Sequence, residues 1–335
     1  MTKSLRLPGI GPDASVRYFS LGRHALAAGL RVLGVAPKQS VLFPEFICRD
    51  LLAAVHAIGA EAVFYPVGPD LSPSSPQETW PDAVVVLAVD YFGFPQPLGP
   101  FQAYAERTGA FIVEDNAHGF LSRDDIGRWL GTRADAGIFS IRKTLPIADG
   151  AALVIGNTEL VKGLGEPLTP EGRGYAPAVA WKGKLRRVPV VGVPVLAATT
   201  GLVRVLRKLR TGFAIPPPDE EAEKSIPYSS APHSGLMAAL AAPDVQKEID
   251  RRRKLYLLAE RDALAIGIVP LFPELPPLVA PYGFPFRSNS SRALRKMRCW
   301  AARRGLGLIR WPDLPSGCTD SLPEYHRSVY LVNFL

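Results

Sequence analysis

Phe111-Ile-Val-Glu114-Asp115-Asn-Ala-His118 runs from three apolar residues into two carboxylates and, after two small residues, a histidine. A short apolar run of this kind reads as a buried strand, and its polar end as the point where the chain leaves the core. In open parallel sheets, ligands bind beyond the carboxyl ends of the strands, which puts Asp115 where a ligand would be met. Taken alone, Glu114 and Asp115 read equally well as a solvated strand end or a helix cap.

The flanking sequence repeats the alternation. Upstream, Ser40–Phe43 reads as a strand ending at Pro44, Asp50–Ile58 as a helix stopped by Gly59, and Ala62–Tyr65 as the next strand. Ala83–Val89 is a continuous valine-rich apolar run, as expected of a strand covered on both faces. Phe101–Arg107 reads as a helix with Gly109 as its C-terminal stop. Downstream, Gly137–Ile141 and Ala151–Ile155 read as two more strands. Strand and helix alternating in this way imply an α/β fold, with a mostly parallel sheet and helices on both faces.

From Val161 to about Lys224 the pattern changes to Pro, Gly and basic residues. Trp181-Lys-Gly-Lys-Leu-Arg-Arg187 precedes an apolar stretch, Val188–Val203, and a second basic cluster follows at Arg204, Arg207, Lys208 and Arg210. Pro216–Pro218 and the acidic Asp219–Glu223 then read as a linker. The apolar stretch is too short and too rich in Pro and Gly to span a bilayer. A core or dimer-interface helix with a solvated basic end is expected, and contact with an anionic membrane is the lesser alternative. Gly235–Ala241, Val245–Ala265 and Ser291–Arg304 read as helices, the last closed by Gly305, and Gly307–Ile309 and Ser328–Phe334 as strands. The expected organisation is a large α/β domain over 1–235, with an insertion at about 161–224, and a small α+β domain over 236–335.

The bulk properties fit a globular protein. Of 335 residues, 47% are apolar and 21% charged. Cys48, Cys299 and Cys318 are odd in number and widely spread, which argues against a disulfide framework and suits a reducing cytoplasm. The first residues lack the apolar core of a signal peptide. A net charge of +8 suits nucleic acid, an anionic surface or a phosphate-bearing ligand. With neither zinc-finger spacing nor a basic low-complexity tail, neither nucleic acid nor a metal site is expected.

Two further stretches complete a constellation. Ile138-Phe-Ser140-Ile-Arg142-Lys143-Thr144, followed by Asp149-Gly150, sets a lysine just after a buried strand. Such a lysine is either a surface residue at a sheet edge or, if desolvated, a nucleophile toward carbonyls. Arg142 either depresses its pKa, meets an anionic substrate, or pairs with Asp149 at the surface. Phe19-Ser20-Leu-Gly22-Arg23-His-Ala-Leu26 opens a helix, and its backbone N–H groups offer either an anion cradle or an ordinary cap. One chemical demand is met by all three stretches together. An aldehyde cofactor with a pyridine ring and a phosphate needs a lysine, a carboxylate for the ring nitrogen and an anion site.

These residues resemble the DegT/DnrJ/EryC1/StrS family of pyridoxal-phosphate enzymes, best known as sugar aminotransferases. Glu114-Asp115-Asn-Ala-His118 is close to the family's acidic signature, and Ser140…Lys143…Asp149-Gly150 resembles its lysine loop. Ser20–Leu26 looks like the phosphate turn, Val41–Pro44 with Ile58–Ala60 like the second strand–helix unit, and Gly305–Ile309 with Trp311-Pro312 like a small-domain strand. The resemblance implies the aspartate-aminotransferase-like fold (fold type I) and pyridoxal 5′-phosphate as cofactor. It also implies a homodimer and small-molecule substrates: an amino donor such as glutamate and a keto-sugar nucleotide. By position, Lys143 would bond covalently to the cofactor and shuttle a proton, Asp115 would pair with the pyridinium nitrogen, and His118 would lie near the phenolic oxygen. Ser20, Ser140 and the backbone of Gly22 and Arg23 would bind phosphate. The chain departs from the family at several points. Asp90 replaces a histidine, Ser140 and Lys143 are unusually close, and Cys48 stands where an aromatic ring often covers the cofactor, with Phe46 nearby. The Asn-Tyr-Arg segment is replaced by Tyr228-Ser-Ser-Ala-Pro-His233-Ser234. A dehydratase of the same family and a non-catalytic binding descendant are the alternatives to transamination.

Overall fold

The computed structural model describes residues 7, 10, 15–145, 147–156, 158–171, 192–212, 220–227, 229–241, 245–318 and 322–335. The basic cluster Trp181–Arg187, the apolar residues 188–191 and Tyr228 lie outside them. Seven strands form the main sheet: β1 (Ser15–Phe19), β2 (Ser40–Pro44), β3 (Glu61–Tyr65), β4 (Val85–Val89), β5 (Phe111–Asn116), β6 (Ala136–Phe139) and β7 (Ala151–Ile155). Their order is β1-β7-β6-β5-β4-β2-β3. Strands β6, β5, β4, β2 and β3 are mutually parallel, whereas β7 runs antiparallel to both its neighbours. Every residue of β4 and β7 is buried, which is why these strands read as unbroken apolar runs rather than alternations.

Helix α1 (Gly22–Val32) turns Ala25, Leu26, Ala27, Gly29 and Leu30 to the sheet, and α2 (Leu52–His56) and α3 (Gly99–Thr108) cover further strands. Gly109 closes α3 in the left-handed conformation, as expected from its position. The stretch 50–58 is not one helix. A 3-10 turn at Arg49–Leu51 leads into a five-residue α2, because the chain must first leave the strand edge. A short helix α4 (Thr158–Val161) follows β7, and α5 (Gly192–Thr211) follows further on. Helix α5 is not a core helix: Leu202, Val203, Val205, Leu206 and Leu209 are all exposed.

Past α6 (Leu236–Ala241), the long α7 (Val245–Leu264) presents Arg252, Tyr256, Ala259 and Ala263 to the interior. Strands β8 (Gly283–Arg287), β9 (Gly307–Arg310) and β10 (Val329–Asn333) form a second, antiparallel sheet in the order β8-β10-β9. Helices α8 (Ser291–Ala302) and α9 (Glu324–Arg327) complete it, with Ser290 capping α8 by accepting from the Ala293 N–H. Two strands escape the sequence reading. Pro285 disguises β8, and is tolerated because β8 pairs on one side only within that sheet. Strand β1 is short and half-buried, so its alternation is weak. The apolar core takes side chains from α7 and both sheets.

Candidate functional site

The reversal of β7 brings the site together. Phe19 of β1 pairs with Ala151, and Phe139 of β6 pairs with Ala152, so the start of β7 lies beside the ends of β1 and β6. The same edge holds the ends of β5 and β4, since Asn116 pairs with Phe139 and Val89 with Asp115. Gly150 locks this corner: its N–H donates to Ser20 O (2.8 Å) and its carbonyl accepts from Arg142 N–H (3.1 Å). Only glycine suits it, because φ is +148° and a Cβ would come within 2.8 Å of both Ile147 Cδ1 and Leu236 Cδ1.

The strand expected over 137–141 stops at Phe139. Ser140 leaves the ladder, and Ile141–Lys143 form a 3-10 turn with Lys143 N–H donating to Ser140 O at 3.0 Å. That turn swings Lys143 back over the sheet edge. Its Nζ lies 3.1 Å from His118 Nε2. His118 is buried, and its ring lies between Phe92 (5.7 Å, 10°) and Tyr282 (4.5 Å, 3°), with Trp311 edge-on at 5.5 Å. The Phe92 N–H points to His118 Nδ1 at 3.3 Å, from a left-handed backbone (φ 57°) that costs a non-glycine residue about 1 kcal/mol or more.

These contacts assign the protons. If Nδ1 accepts from Phe92, the neutral ring carries its hydrogen on Nε2 and donates it to Lys143. Lys143 must then accept, which only the uncharged amine can do. The electrostatics agree. Burial, with Arg142 beside it, pulls Lys143 below the usual lysine range, against the opposing pull of Asp115 and Asp50. Burial, reinforced by Lys143, holds His118 well below its ordinary value. The Cys48 thiol is pushed up to about 11, chiefly by burial, so at neutral pH it lends no charge to Lys143.

Asp115 is buried, and its Oδ1 accepts from the Ala117 N–H at 3.0 Å. Burial lifts its pKa, while Lys143 and that N–H act to lower it. Glu114 alternates to the other face of β5, where Arg133 reaches it by Nε (2.7 Å) and reaches Asp90 by Nη2 (2.9 Å). Asp90 and Glu114 are therefore part of a buried ion cluster beneath the site.

Among the remaining candidates, Ser140 is buried beside the lysine turn, and Cys48 lies within electrostatic reach of Lys143. Phe46 stacks on His326 at 4.2 Å and meets Trp311 edge-on at 5.3 Å, one ring removed from His118. Arg23 pairs with Asp50 (3.2 Å). Gly22 and Arg23 begin α1, ahead of His24 and Ala25, whose N–H groups already meet Leu21 O. Ser20 differs from expectation. Its hydroxyl donates to Ser229 O at 2.6 Å and its N–H to Ser230 O, so its proton is not offered to an anion. The segment after Tyr228 thus buttresses the turn. Arg142 does not pair with Asp149 in this structure: Asp149 Oδ1 accepts from His233 N–H, and the buried Arg142 Nε meets no hydrogen-bond partner among the described residues.

Arg252 and Tyr282 were not singled out from the sequence. The Arg252 guanidinium is buried and reaches the carbonyls of Lys143, Thr144, Pro281 and Tyr282, at 3.3–3.4 Å, while Nε meets Glu248 at 2.7 Å. It ties the lysine turn to the ring that stacks on His118. A signal existed: Arg252 falls on the apolar stripe of α7 with Tyr256, Ala259 and Ala263. Tyr282, one residue before β8, carries no comparable signal.

Residues 16–166 match the profile of the DegT/DnrJ/EryC1/StrS aminotransferase family. The dTDP-3-amino-3,4,6-trideoxy-alpha-D-glucose transaminase of Streptomyces venezuelae is 34% identical over 154 residues, 43% of this chain and 39% of that protein. The chain thus spans less than half of that curated relative. The aminotransferase TlmJ from Streptoalloteichus hindustanus superposes with a TM-score of 0.61 at 19% identity, covering 97% of this chain and 81% of TlmJ. NtdA from Bacillus subtilis, solved with bound cofactor PMP, gives 0.58 at 17% identity over 95% of this chain and 68% of its own. The fold is that of these enzymes.

Proposed function

We infer from membership of the DegT/DnrJ/EryC1/StrS aminotransferase family, to which the chain belongs through residues 16–166, that it is a pyridoxal-phosphate-dependent aminotransferase. One observation supports this most directly: Lys143, half-buried with its Nζ 3.1 Å from His118 Nε2, has its pKa lowered by desolvation, as suits a carbonyl-seeking nucleophile. The donor set fits the cofactor. A neutral amine, a buried carboxylate at Asp115, the opening of α1 and the unpartnered Arg142 Nε match an aldehyde, a ring nitrogen and a phosphate. When bound, this cofactor supplies an electron sink for the carbon that bears the amino group.

The chain's own residues do the rest. Lys143 Nζ would hold the cofactor's aldehyde carbon, and its amine would take up and return the proton at the substrate carbon. His118 aims that amine. Asp115 would pair with the cofactor's ring nitrogen and favour its protonated form, and the resulting cation would draw the carboxyl back toward its charged form. The Gly22 and Arg23 N–H groups, at the positive end of α1, would hold the phosphate. Phe92, Tyr282 and Trp311 pack around the His118 ring and fix its orientation toward the amine. The relative's activity on a dTDP-amino sugar supports a keto-sugar nucleotide as acceptor and an amino acid such as glutamate as donor. The family premise also supports a homodimer.

The test is a visible spectrum of purified protein with added pyridoxal phosphate, before and after borohydride, followed by peptide mapping. A band that borohydride bleaches, with the label on Lys143, is expected; a flat spectrum with no label refutes the reading. Nitrogen transfer from labelled glutamate to a keto-sugar nucleotide then tests the reaction. Sugar consumption without nitrogen transfer assigns elimination instead.

A further inference from the structure

The positive charge of this protein is concentrated in one place. Of its 39 Lys and Arg, nine lie between residues 172 and 218, and none of its 31 Asp and Glu do. The rest of the chain has 30 cations against 31 anions, so the whole net charge of +8 originates in this segment. Helix α5 stands at its centre. At 3.6 residues per turn, Leu202, Val205, Leu206 and Leu209 fall on one face of α5, and Arg204, Arg207 and Lys208 on the opposite one. The apolar face is uncovered: Leu202 is 59% exposed, Val205 56%, Leu206 55% and Leu209 80%. Water is a poor neighbour for such a stripe, and contiguous apolar surface rimmed by charge marks an interaction site.

The chemistry narrows the occupant. A second copy presenting the same helix would bring nine positive charges against nine, with no acid in the segment to compensate. A nucleic acid would satisfy the arginines but has nothing to cover a leucine and valine face. An anionic lipid surface meets both demands at once, because acyl chains take the apolar face and headgroups the basic one. The helix does not span the bilayer: among the described residues, no helix is long and apolar enough to cross a membrane. We propose that α5 is an in-plane membrane anchor, which seats this protein on an anionic bilayer. The proposal does not depend on the reaction catalysed at Lys143.

Flotation of the full chain with vesicles of phosphatidylcholine containing 40% phosphatidylglycerol, at low salt, is the test. Co-flotation is expected, with little on pure phosphatidylcholine. Polybasic segments gain about fivefold in partitioning per charge, so Arg207→Gln with Arg210→Gln should weaken binding about 25-fold. Leu206→Glu with Leu209→Glu should abolish flotation while leaving borohydride labelling of Lys143 unchanged, which shows that the variant is folded. Three outcomes overturn the proposal. The first is no flotation on the anionic vesicles. The second is flotation insensitive to the leucine pair. The third is a leucine-pair variant that changes sedimentation velocity without lipid, which would assign the face to a second copy. RNA binding that survives Leu206→Glu with Leu209→Glu, in a chain that does not float, would assign the basic residues to nucleic acid.

Discussion

Desolvation of Lys143 costs the folded chain stability in a pH-dependent way. Its pKa is lowered in the folded chain, so between that value and about 10.5 the unfolded chain binds a proton that the folded chain does not. The cost is full below the folded pKa and vanishes above the unfolded one. Lys143→Met should therefore stabilise the cofactor-free protein near neutral pH by about 1 kcal/mol in urea titration, with the gain fading as pH approaches 10. A gain that grows with pH would contradict the assignment of an uncharged amine. The neighbours can be tested by the pH profile of borohydride trapping. Arg142→Gln removes a cation that lowers the Lys143 pKa and should move the profile to higher pH, whereas Asp115→Asn should move it lower. His118 follows the same rule as the lysine. It stays neutral where an unfolded histidine would protonate, so stability should fall as pH drops below about 6.5. The sequence offered the lysine, the carboxylate and the histidine as candidates, and the structure places them on one sheet edge. The proton assignment was not legible there, because it depends on the Phe92 N–H, 26 residues from His118 along the chain.

Strand ends and turns are held by two features that periodicity does not reveal. One is the Gly150 corner. Gly150→Ala forces a Cβ into Ile147 and Leu236 and should cost about 2 kcal/mol or more, read from the urea midpoint, with a matching loss of Lys143 labelling. The other is the cluster of Asp90, Glu114 and Arg133, which ties the ends of β4 and β5 to the following loop. Arg133→Ala leaves two buried carboxyls unpaired and should cost about 3–5 kcal/mol at pH 7. Burial and Glu114 already hold the Asp90 carboxyl well above its ordinary value, and Arg133 is the group that opposes them. Without the arginine the folded Asp90 carboxyl holds a proton that the unfolded one loses above about pH 4, so acid should stabilise the variant. Its melting temperature should therefore rise from pH 7 to pH 5; a fall would show that the carboxyls are not coupled in this way.

At the scale of the whole molecule, Arg252 couples the segment that leads into β8 to the lysine turn, because one guanidinium meets carbonyls of both. Arg252→Met should cost on the order of 3 kcal/mol and speed amide hydrogen exchange at 141–145 more than in α1. Equal acceleration in both regions would reduce Arg252 to a general core residue. The sequence by itself determined the strand–helix alternation, the parallel sheet and the acidic and lysine motifs, because burial on both faces and termination at a sheet edge leave local composition behind. It could not show that Ser20 is committed to Ser229, that Tyr282 stacks on His118, or that Arg252 lies inside. It also could not separate a core helix from the exposed α5, since an apolar stripe looks the same whether or not anything covers it. Those facts were settled only by tertiary structure, because each depends on groups far apart in the chain, and local pattern has no access to what the fold brings beside it.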